Sequence, residues 1–245
     1  MTLAIIGGTG LSSLEGLDIA EQKVIDTPFG QPSSVLSMGK LQGKSVVFLP
    51  RHGEKHTLPP HKVNYRANIW ALHSMGVKKI IAIAAVGGIR NDMPPGSLAV
   101  PDQIIDYTYG REQSFFSDDF TADKHIDFTY PYDATVRESI LQAGKNKQIE
   151  MIDGGCYGAT QGPRLETAAE IKRMTQDGCA MVGMTGMPEA YLARELDIPY
   201  ATCALMVNWA AGLTAGTITM DQIEKTLAGG MAQVKQLLAE LIQQS

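Results

Sequence analysis

The feature that most constrains the fold is a series of short, continuously apolar runs that end in glycines or polar residues. Residues 3–6 lead into Gly7-Gly8-Thr9-Gly10, and residues 79–85 lead into Gly87-Gly88. Continuous apolar character over so few residues predicts strands buried on both faces, as in a parallel sheet. Further strands are predicted at residues 45–49, 103–107, 180–182 and 200–207.

Helical periodicity or helix-boundary signals separate these runs. Helices are predicted at residues 64–75, 133–143, 167–175 and 188–196, and a long final helix begins near Thr219. Thr219 and Gln222 fit a capping box at the start of that last helix. Because strands alternate with helices and no linker or repeat interrupts the chain, we expect a single α/β domain over residues 1–245. Its central sheet is expected to be mixed but mostly parallel, with helices on its flanks.

Several predicted strands are followed by residues suited to ligand binding. Ligands of α/β sheets bind beyond the carboxyl ends of the strands, so the segments at Thr9, Ala85 and Asn208 are candidates for the site. Arg51-His52-Gly53 follows the strand at 45–49, and a guanidinium beside an imidazole forms a clamp for an anion. Thr9 adds a hydroxyl and nearby backbone N–H groups.

Charge and composition exclude several classes of protein. The chain has 21 Lys and Arg residues against 26 Asp and Glu, a net charge of −5, so we expect no binding to nucleic acid. The longest apolar run, residues 80–89, is too short to cross a membrane, and no basic, apolar leader is evident. Cys156, Cys179 and Cys203 are scattered, so we expect buried, reduced thiols in a cytoplasmic protein.

Three motifs that would indicate other chemistry are incomplete, wrongly spaced or absent. Gly8-Thr9-Gly10 lacks the third glycine of a dinucleotide-binding turn, since Ser13 stands in its place. His52, His56 and His61 do not have the spacing of a zinc site, so no metal is expected. No G-x-S-x-G sequence is present to form a nucleophile elbow.

Six segments together carry a more specific signal. They are IIGGTGL (5–11), RHGEKHTLPPHKVNYRANIWAL (51–72), AAVGGI (84–89), TQGPRLET (160–167), GMTGMPEA (183–190) and ALMVN (204–208). Through them the chain resembles the trimeric purine nucleoside phosphorylase and methylthioadenosine phosphorylase family over essentially its whole length. The resemblance implies a nucleoside phosphorylase-like fold and a homotrimeric pentosyltransferase of purine salvage.

The reaction that the resemblance implies is phosphorolysis, in which inorganic phosphate attacks C1′ of a purine nucleoside. Phosphate is then a co-substrate, and no cofactor is implied. The residues implied to hold phosphate are Thr9, Arg51, His52, Ala84, Ala85 and Thr185, although Ala84 replaces a hydroxyl or amide that is usual in the family. Asn208 is implied to face the purine and, with His52, to be catalytic. Met184 is implied to lie along the ribose, and His125 of a neighbouring subunit to close the sugar end.

The identity of the purine base is indicated by three positions, which the resemblance implies to bind the substrate: Asn208, Ala210 and Glu166. The 6-amino branch of the family has an aspartate where this chain has Asn208, and a second aspartate where it has Ala210. An amide donates to a 6-oxo group or to N7, whereas a carboxylate repels a 6-oxo group. Glu166 stands where the 6-oxopurine branch has a glutamate that accepts from N1–H. The resemblance therefore implies a 6-oxopurine.

The 5′ substituent is indicated by the start of the last helix. Met220 and Ile223 stand where methylthioadenosine phosphorylases line the methylthio group, whereas the hydroxyl-binding branch has a histidine in this region. No histidine follows His125 in this chain. An apolar wall leaves a 5′-hydroxyl without a partner. The combination predicts S-methyl-5′-thioinosine as the substrate, with hypoxanthine and 5-methylthioribose 1-phosphate as products.

Other interpretations stay open at this point. One alternative is a general 6-oxopurine nucleoside phosphorylase that acts on inosine and guanosine. A second is an S-methyl-5′-thioadenosine phosphorylase, and a third is a purine-binding module without turnover. Met220 and Ile223 are alternatively core residues of an amphipathic helix. Trp209 either packs in the core or lines the pocket. In each case the expected partners are small molecules, with neither nucleic acid nor membrane.

Overall fold

Strands and helices alternate along residues 2–244, the part of the chain that this computed structural model describes. The strands are β1 (Leu3–Gly7), β2 (Asp18–Lys23), β3 (Leu36–Leu41), β4 (Lys44–Pro50), β5 (Lys79–Gly88), β6 (Leu98–Val100), β7 (Gln103–Asp106), β8 (Met151–Asp153), β9 (Cys156–Ala159), β10 (Cys179–Gly183) and β11 (Tyr200–Trp209). The helices are α1 (Tyr65–Ser74), α2 (Ala134–Asn146), α3 (Ala168–Gln176), α4 (Gly186–Glu195) and α5 (Met220–Gln243). The strands form one 11-stranded mixed sheet, which confirms the expected α/β class.

Strand β5 organises the sheet because it is long enough to pair with two strands along one edge. Its other edge pairs in parallel with β11 as far as Trp209 opposite Gly88. On the first edge, β1 pairs in parallel up to Ile6 opposite Ala82, and β10 pairs antiparallel at Gly87 and Gly88. The carboxyl ends of β1 and β10 therefore converge from opposite directions beside Ala84 and Ala85.

Helices cover both faces of the sheet. Along β1, Ala4 and Ile6 belong to an apolar cluster with residues of α1 and α4, whereas Leu3 and Ile5 belong to a cluster with residues of α2 and α5. This alternation buries every residue of the strand, which explains the continuous apolar runs. Within residues 2–244, no helix is long and apolar enough to cross a membrane.

Five strands escape prediction from the sequence: β2, β3, β6, β8 and β9. Strand β2 is exposed along its whole length and has no apolar run to mark it, and β6 and β8 have only three residues each. These segments are extended because a neighbour pairs with them, as β3 does with β2, and as β11 and β8 do with β6. Tertiary pairing outweighs local propensity here.

Some boundaries near the carboxyl ends of the strands differ from the predicted ones. Strand β11 extends past residue 207 because Asn208 continues to pair, opposite Gly87 of the equally extended β5. Helix α4 begins at Gly186 instead of residue 188, and Met187 within it has extended backbone angles. Thr219 caps α5 by accepting from the Gln222 N–H, whereas a complete capping box forms at Thr167 and Glu170 of α3.

The cysteines are free thiols, but they are not scattered in space. Cys156 lies opposite Cys179 in the paired strands β9 and β10. Cys179 and Cys203 are buried as expected, whereas Cys156 is only half-buried. The expectation of three buried thiols is thus wrong for Cys156, because it lies at the start of β9, where the strand is still partly exposed.

Candidate active site

A cavity of about 590 Å³ lies beside Ala84 and Ala85, where the carboxyl ends of β1 and β10 converge. The predicted site residues that line it are Thr9, Arg51, His52, Ala84, Ala85, Glu166, Met184, Thr185, Asn208, Met220 and Ile223. The fold therefore brings together almost all of the residues selected from the sequence. Ala210 and His125 are the exceptions.

The turn after β1 packs too closely for a side chain at its second glycine. A Cβ on Gly8 would lie 2.4 Å from the carbonyl oxygen of Ile83 and 3.0 Å from Nη1 of Arg51. This close approach leaves the next residue, Thr9, at the cavity. Thr185 reaches the cavity from β10, and its side chain makes no capping bond to α4. Hydroxyls and backbone N–H groups from both strand ends suit a small anion such as phosphate.

Arg51 forms an ion pair with a buried acid, so the clamp predicted from the sequence carries less positive charge than Arg51 alone would give it. Its Nε donates to Oε2 of Glu189 at 2.6 Å and its Nη2 donates to Oε1 at 2.7 Å, while Nη1 donates to the Ile83 carbonyl at 3.0 Å. Burial by itself lowers the pKa of Arg51, but the charge and hydrogen bonds of Glu189 outweigh it and raise the pKa above its usual range. Arg51 thus reaches the cavity as half of a neutral ion pair, and its contact with phosphate stays a prediction.

His52 is neutral at physiological pH. Burial and then the neighbouring Arg51 charge lower the pKa of His52 to about 4. Its Nδ1 lies 2.8 Å from the carbonyl oxygen of Leu58, which only accepts, so Nδ1 carries the proton and Nε2 is an acceptor. The ring of His56 lies 4.6 Å away, between centroids. Among residues 2–244, no three His, Cys, Asp or Glu side chains are grouped to hold a metal.

Glu166 and Asn208 are each held by a second residue. Thr160 Oγ1 donates to Oε1 of Glu166 at 2.6 Å. Asn208 Nδ2 donates to the carbonyl oxygen of Trp209 at 2.7 Å, and because a carbonyl only accepts, this bond fixes the side of the amide that carries the NH₂ group. Asn208 keeps one N–H for a ligand. The indole of Trp209 is not part of the cavity wall, so its contribution here is its backbone.

The first turn of α5 contributes two apolar side chains, Met220 and Ile223, to the cavity wall. Ile223 is buried in the apolar cluster that contains α5, and it also lines the cavity, so it is both a core residue and a cavity residue. Met220 is 61% exposed although it lines the cavity, which excludes the interpretation that it is a core residue.

Two predicted residues lie outside the cavity. Ala210 is buried in a cluster with Val182 and Ile171, and its N–H donates to the Gly88 carbonyl; its contact with the substrate stays a prediction. His125 lies in a different pocket, with Phe120 and Tyr191. Its contribution to a neighbouring subunit's cavity stays a prediction.

Comparison with known proteins covers nearly the whole chain. Residues 2–243 match the family described as the phosphorylase superfamily. The chain belongs to this superfamily. It is 52% identical over 242 residues to the probable S-methyl-5′-thioinosine phosphorylase of Pseudomonas syringae pv. tomato, covering 99% of this chain and 98% of the relative. It is 41% identical over 242 residues to the probable 6-oxopurine nucleoside phosphorylase of Dictyoglomus turgidum, covering 99% and 91%.

The solved structures that resemble this chain are nucleoside phosphorylases, as are its relatives in sequence. Methylthioadenosine phosphorylase from Schistosoma mansoni, in complex with adenine, is similar with a TM-score of 0.94 at 30% identity, covering 99% of this chain and 91% of that one. These likenesses confirm the nucleoside phosphorylase-like fold and the enzyme class, a pentosyltransferase of purine metabolism. Enzymes of this superfamily act on a nucleoside and phosphate, which confirms the expectation of small-molecule partners.

Sequence reasoning missed the residues that stand behind the cavity wall. Glu189 is fully buried, and besides Arg51 it accepts from the Tyr200 hydroxyl at 2.8 Å. Thr160 also stands behind the wall, where its hydroxyl donates to the carboxylate of Glu166. A signal for Glu189 was available, because a buried arginine requires an acidic partner and Glu189 lies in the GMTGMPEA segment.

Proposed function

We propose that the enzyme converts S-methyl-5′-thioinosine and inorganic phosphate to hypoxanthine and 5-methylthioribose 1-phosphate. The observation that carries this proposal is one cavity in which Glu166 and Asn208 occur together with Met220 and Ile223. The first pair suits a 6-oxopurine, and the second suits a thioether. The name of the Pseudomonas syringae relative points the same way.

The preference for the base follows from donors and acceptors. Glu166 accepts from Thr160 and has acceptor capacity left for the N1–H that hypoxanthine carries and adenine lacks. Asn208 has an N–H left for O6 or N7. Adenine would place an unprotonated N1 against the carboxylate. A site built on such a pattern of donors and acceptors can favour a 6-oxopurine over a 6-aminopurine by up to about 10⁴-fold.

The chemistry is displacement at C1′, in which a phosphate oxygen forms a bond as the N-glycosidic bond breaks and its electron pair passes to the purine. The proton of hydrogen phosphate balances the reaction, because the pentose 1-phosphate is released as a dianion and the purine takes up the proton to become neutral hypoxanthine. Because the Arg51–Glu189 pair adds no net charge, Thr9, Thr185 and backbone N–H groups hold the anion mainly by hydrogen bonds. The neutral His52 accepts from the hydroxyl of hydrogen phosphate through Nε2. Asn208 donates to the purine as negative charge develops there. The proposed reaction needs no metal or other cofactor.

The preference for the 5′ group is weaker than the preference for the base. Met220 and Ile223 have no hydrogen-bonding group for a 5′-hydroxyl. Apolar contacts of this kind discriminate by about 1–3 kcal/mol. Inosine and guanosine are therefore slower substrates, but substrates nonetheless.

A general 6-oxopurine nucleoside phosphorylase is the second candidate. Met220 is 61% exposed, so the apolar wall is open on one side within a single chain, and an open wall is less selective for a thioether. The Dictyoglomus turgidum relative bears this name.

The proposal includes a homotrimer in the cytoplasm. Phe120 is 56% exposed, and its ring centroid lies 5.0 Å from that of His125. Such an exposed aromatic ring supports burial of this surface, with His125, against the cavity of a neighbouring subunit. Free thiols support a reducing compartment.

The test is a panel of four nucleosides: inosine, adenosine and their 5′-methylthio forms, each with and without phosphate. Methylthioinosine should have the highest kcat/KM, and hypoxanthine should appear only when phosphate is present. Faster turnover of methylthioadenosine would overturn the assignment of the base, and faster turnover of inosine would favour the second candidate. Met220→His, which offers the 5′-hydroxyl a partner, should narrow the gap between methylthioinosine and inosine. Binding of hypoxanthine without turnover of any nucleoside would indicate a binding module.

A further inference from the structure

Arg111 joins two segments of the site, although no motif of the sequence pointed to it. Its Nη1 donates to the carbonyl oxygens of Met184 at 2.9 Å and Met187 at 2.6 Å. Its Nη2 donates to the carbonyl oxygens of Thr160 at 3.1 Å and Gln161 at 2.9 Å. Its Nε donates to Oε1 of Gln161 at 3.1 Å. One guanidinium therefore holds four backbone carbonyl groups.

The charge of Arg111 is satisfied by neutral acceptors. None of the ion pairs found among residues 2–244 includes it, and its guanidinium also lies over the ring of Tyr65 at 5.4 Å from the centroid. Bonds from a charged donor are stronger than neutral ones, and the planar fork of arginine reaches acceptors that lie on both sides of it. A lysine ammonium, which is a single point of charge, cannot span them.

The two segments that Arg111 holds carry different parts of the site. Segment 160–166 follows β9 and includes Thr160, whose hydroxyl orients Glu166. Segment 184–187 follows β10, runs into the first residues of α4, and includes the cavity residues Met184 and Thr185. The paired strands β9 and β10 end at Ala159 and Gly183. The last backbone hydrogen bond between them runs from the Thr160 N–H to the Gly183 carbonyl, at 2.8 Å. Beyond that point the sheet no longer fixes one segment against the other.

We propose that Arg111 is a positioning residue that sets the base-reading carboxylate of Glu166 at the correct distance from the phosphate side of the site at Thr185. It acts through the two backbone segments, because it does not line the cavity itself. The inference rests on the proposed function for what the segments present to substrate. It does not depend on whether the 5′ group of the best substrate is a methylthio group or a hydroxyl.

The test compares Arg111→Lys with Arg137→Lys. Arg137 is a matched control because it also donates to two backbone carbonyls, of Pro101 at 2.9 Å and Val100 at 3.2 Å, but none of its partners lines the cavity. With the best nucleoside of the wild type, Arg111→Lys should lower kcat/KM by about 10- to 100-fold. The KM for phosphate and the KM for nucleoside should both rise, and the preference for 6-oxo over 6-amino substrates should shrink. Arg137→Lys should leave all of these values close to those of the wild type.

Several outcomes would overturn the inference. One is an Arg111→Lys enzyme within about twofold of the wild type, a difference too small for displaced catalytic groups. Another is a loss of activity with an unchanged 6-oxo preference and a fall in Tm that accounts for it. If Arg111→Lys does not fold, Gln161→Leu carries the test, since it frees Nε of Arg111 and the Tyr109 N–H and should shrink the same preference. Calorimetric titration with hypoxanthine and phosphate compares the affinities of the wild type and the two variants without turnover. Failure of the proposed reaction is therefore distinguishable from failure of this inference.

Discussion

At the scale of single residues, the amide of Asn208 makes a bond that a carboxylate cannot make. Its NH₂ group donates to the Trp209 carbonyl, and its remaining N–H is the donor proposed to meet the purine. In Asn208→Asp both donors are lost, and a carboxylate faces the carbonyl. We expect kcat/KM for the 6-oxo nucleosides to fall by about 100-fold or more, with little loss for the 6-amino nucleosides. The four-nucleoside panel measures this, and an unchanged ratio between the two bases would count against the assignment of Asn208.

His52 makes stability depend on pH. Its ordinary pKa of 6.5 applies to the unfolded chain, whereas burial, and then the Arg51 charge, lower the pKa to about 4 in the folded protein. Between these two values the unfolded state binds the proton and the folded state does not. His52 therefore reduces the free energy of unfolding as the pH falls from about 6.5 towards 4, by at most about 3 kcal/mol.

The replacement His52→Asn tests this dependence. An asparagine keeps a donor for the Leu58 carbonyl but does not titrate. Denaturant unfolding at a series of pH values should give a shallower loss of stability below pH 6.5 in the variant than in the wild type. The nearby His56, whose pKa burial also lowers, remains in both proteins and cancels in the comparison. Parallel curves would show that His52 is not the titrating group.

At the scale of elements, the start of α5 links helix capping to the site. Thr219 accepts from the Gln222 N–H, and the following turn carries Met220 and Ile223. Thr219→Ala should lower the free energy of unfolding by about 1 kcal/mol. It should also raise the KM for methylthioinosine more than the KM for inosine, because the apolar wall loosens.

Helix α2 offers a matched control for that capping prediction. Asp133 caps it by accepting from the Val136 N–H at 2.8 Å, and none of these residues lines the cavity. Asp133→Ala should cost a similar amount of stability and change neither KM. Equal effects of the two variants on the KM values would contradict a role of the α5 start in the site.

The elements also show how far the sequence predicts this structure. Strands such as β1 and β5 were predictable because burial on both faces leaves a continuous apolar run. Strand β2 was not, because only its pairing with β3 makes it a strand. Likewise, residues such as Thr9 and Asn208 that line the cavity follow recognisable strand ends, whereas Thr160 and Arg111 act through tertiary hydrogen bonds that no local pattern records.

At the scale of the whole molecule, the arrangement of β1 and β10 on one edge of β5 explains why the site forms where it does. The two carboxyl ends meet beside Ala84 and Ala85, so Thr9 and Thr185, which are far apart in the sequence, line the same cavity. His125 lies in another pocket, with the exposed Phe120. In the proposed trimer, a complete site therefore combines Asn208 of one subunit with His125 of the next.

Subunit complementation tests this shared site. His125→Ala and Asn208→Asp should each abolish most activity on methylthioinosine, the first by removing the neighbour's contribution and the second by damaging the subunit's own cavity. When the two variants are mixed equally under conditions that exchange subunits, about a quarter of the sites in random trimers combine an intact Asn208 with a neighbour's intact His125. Activity should return towards that fraction, while a mixture of either variant with itself should recover nothing. If the mixture gains no activity although native mass spectrometry detects mixed trimers, His125 does not serve a neighbouring cavity, and the exposed aromatic surface around it has another role.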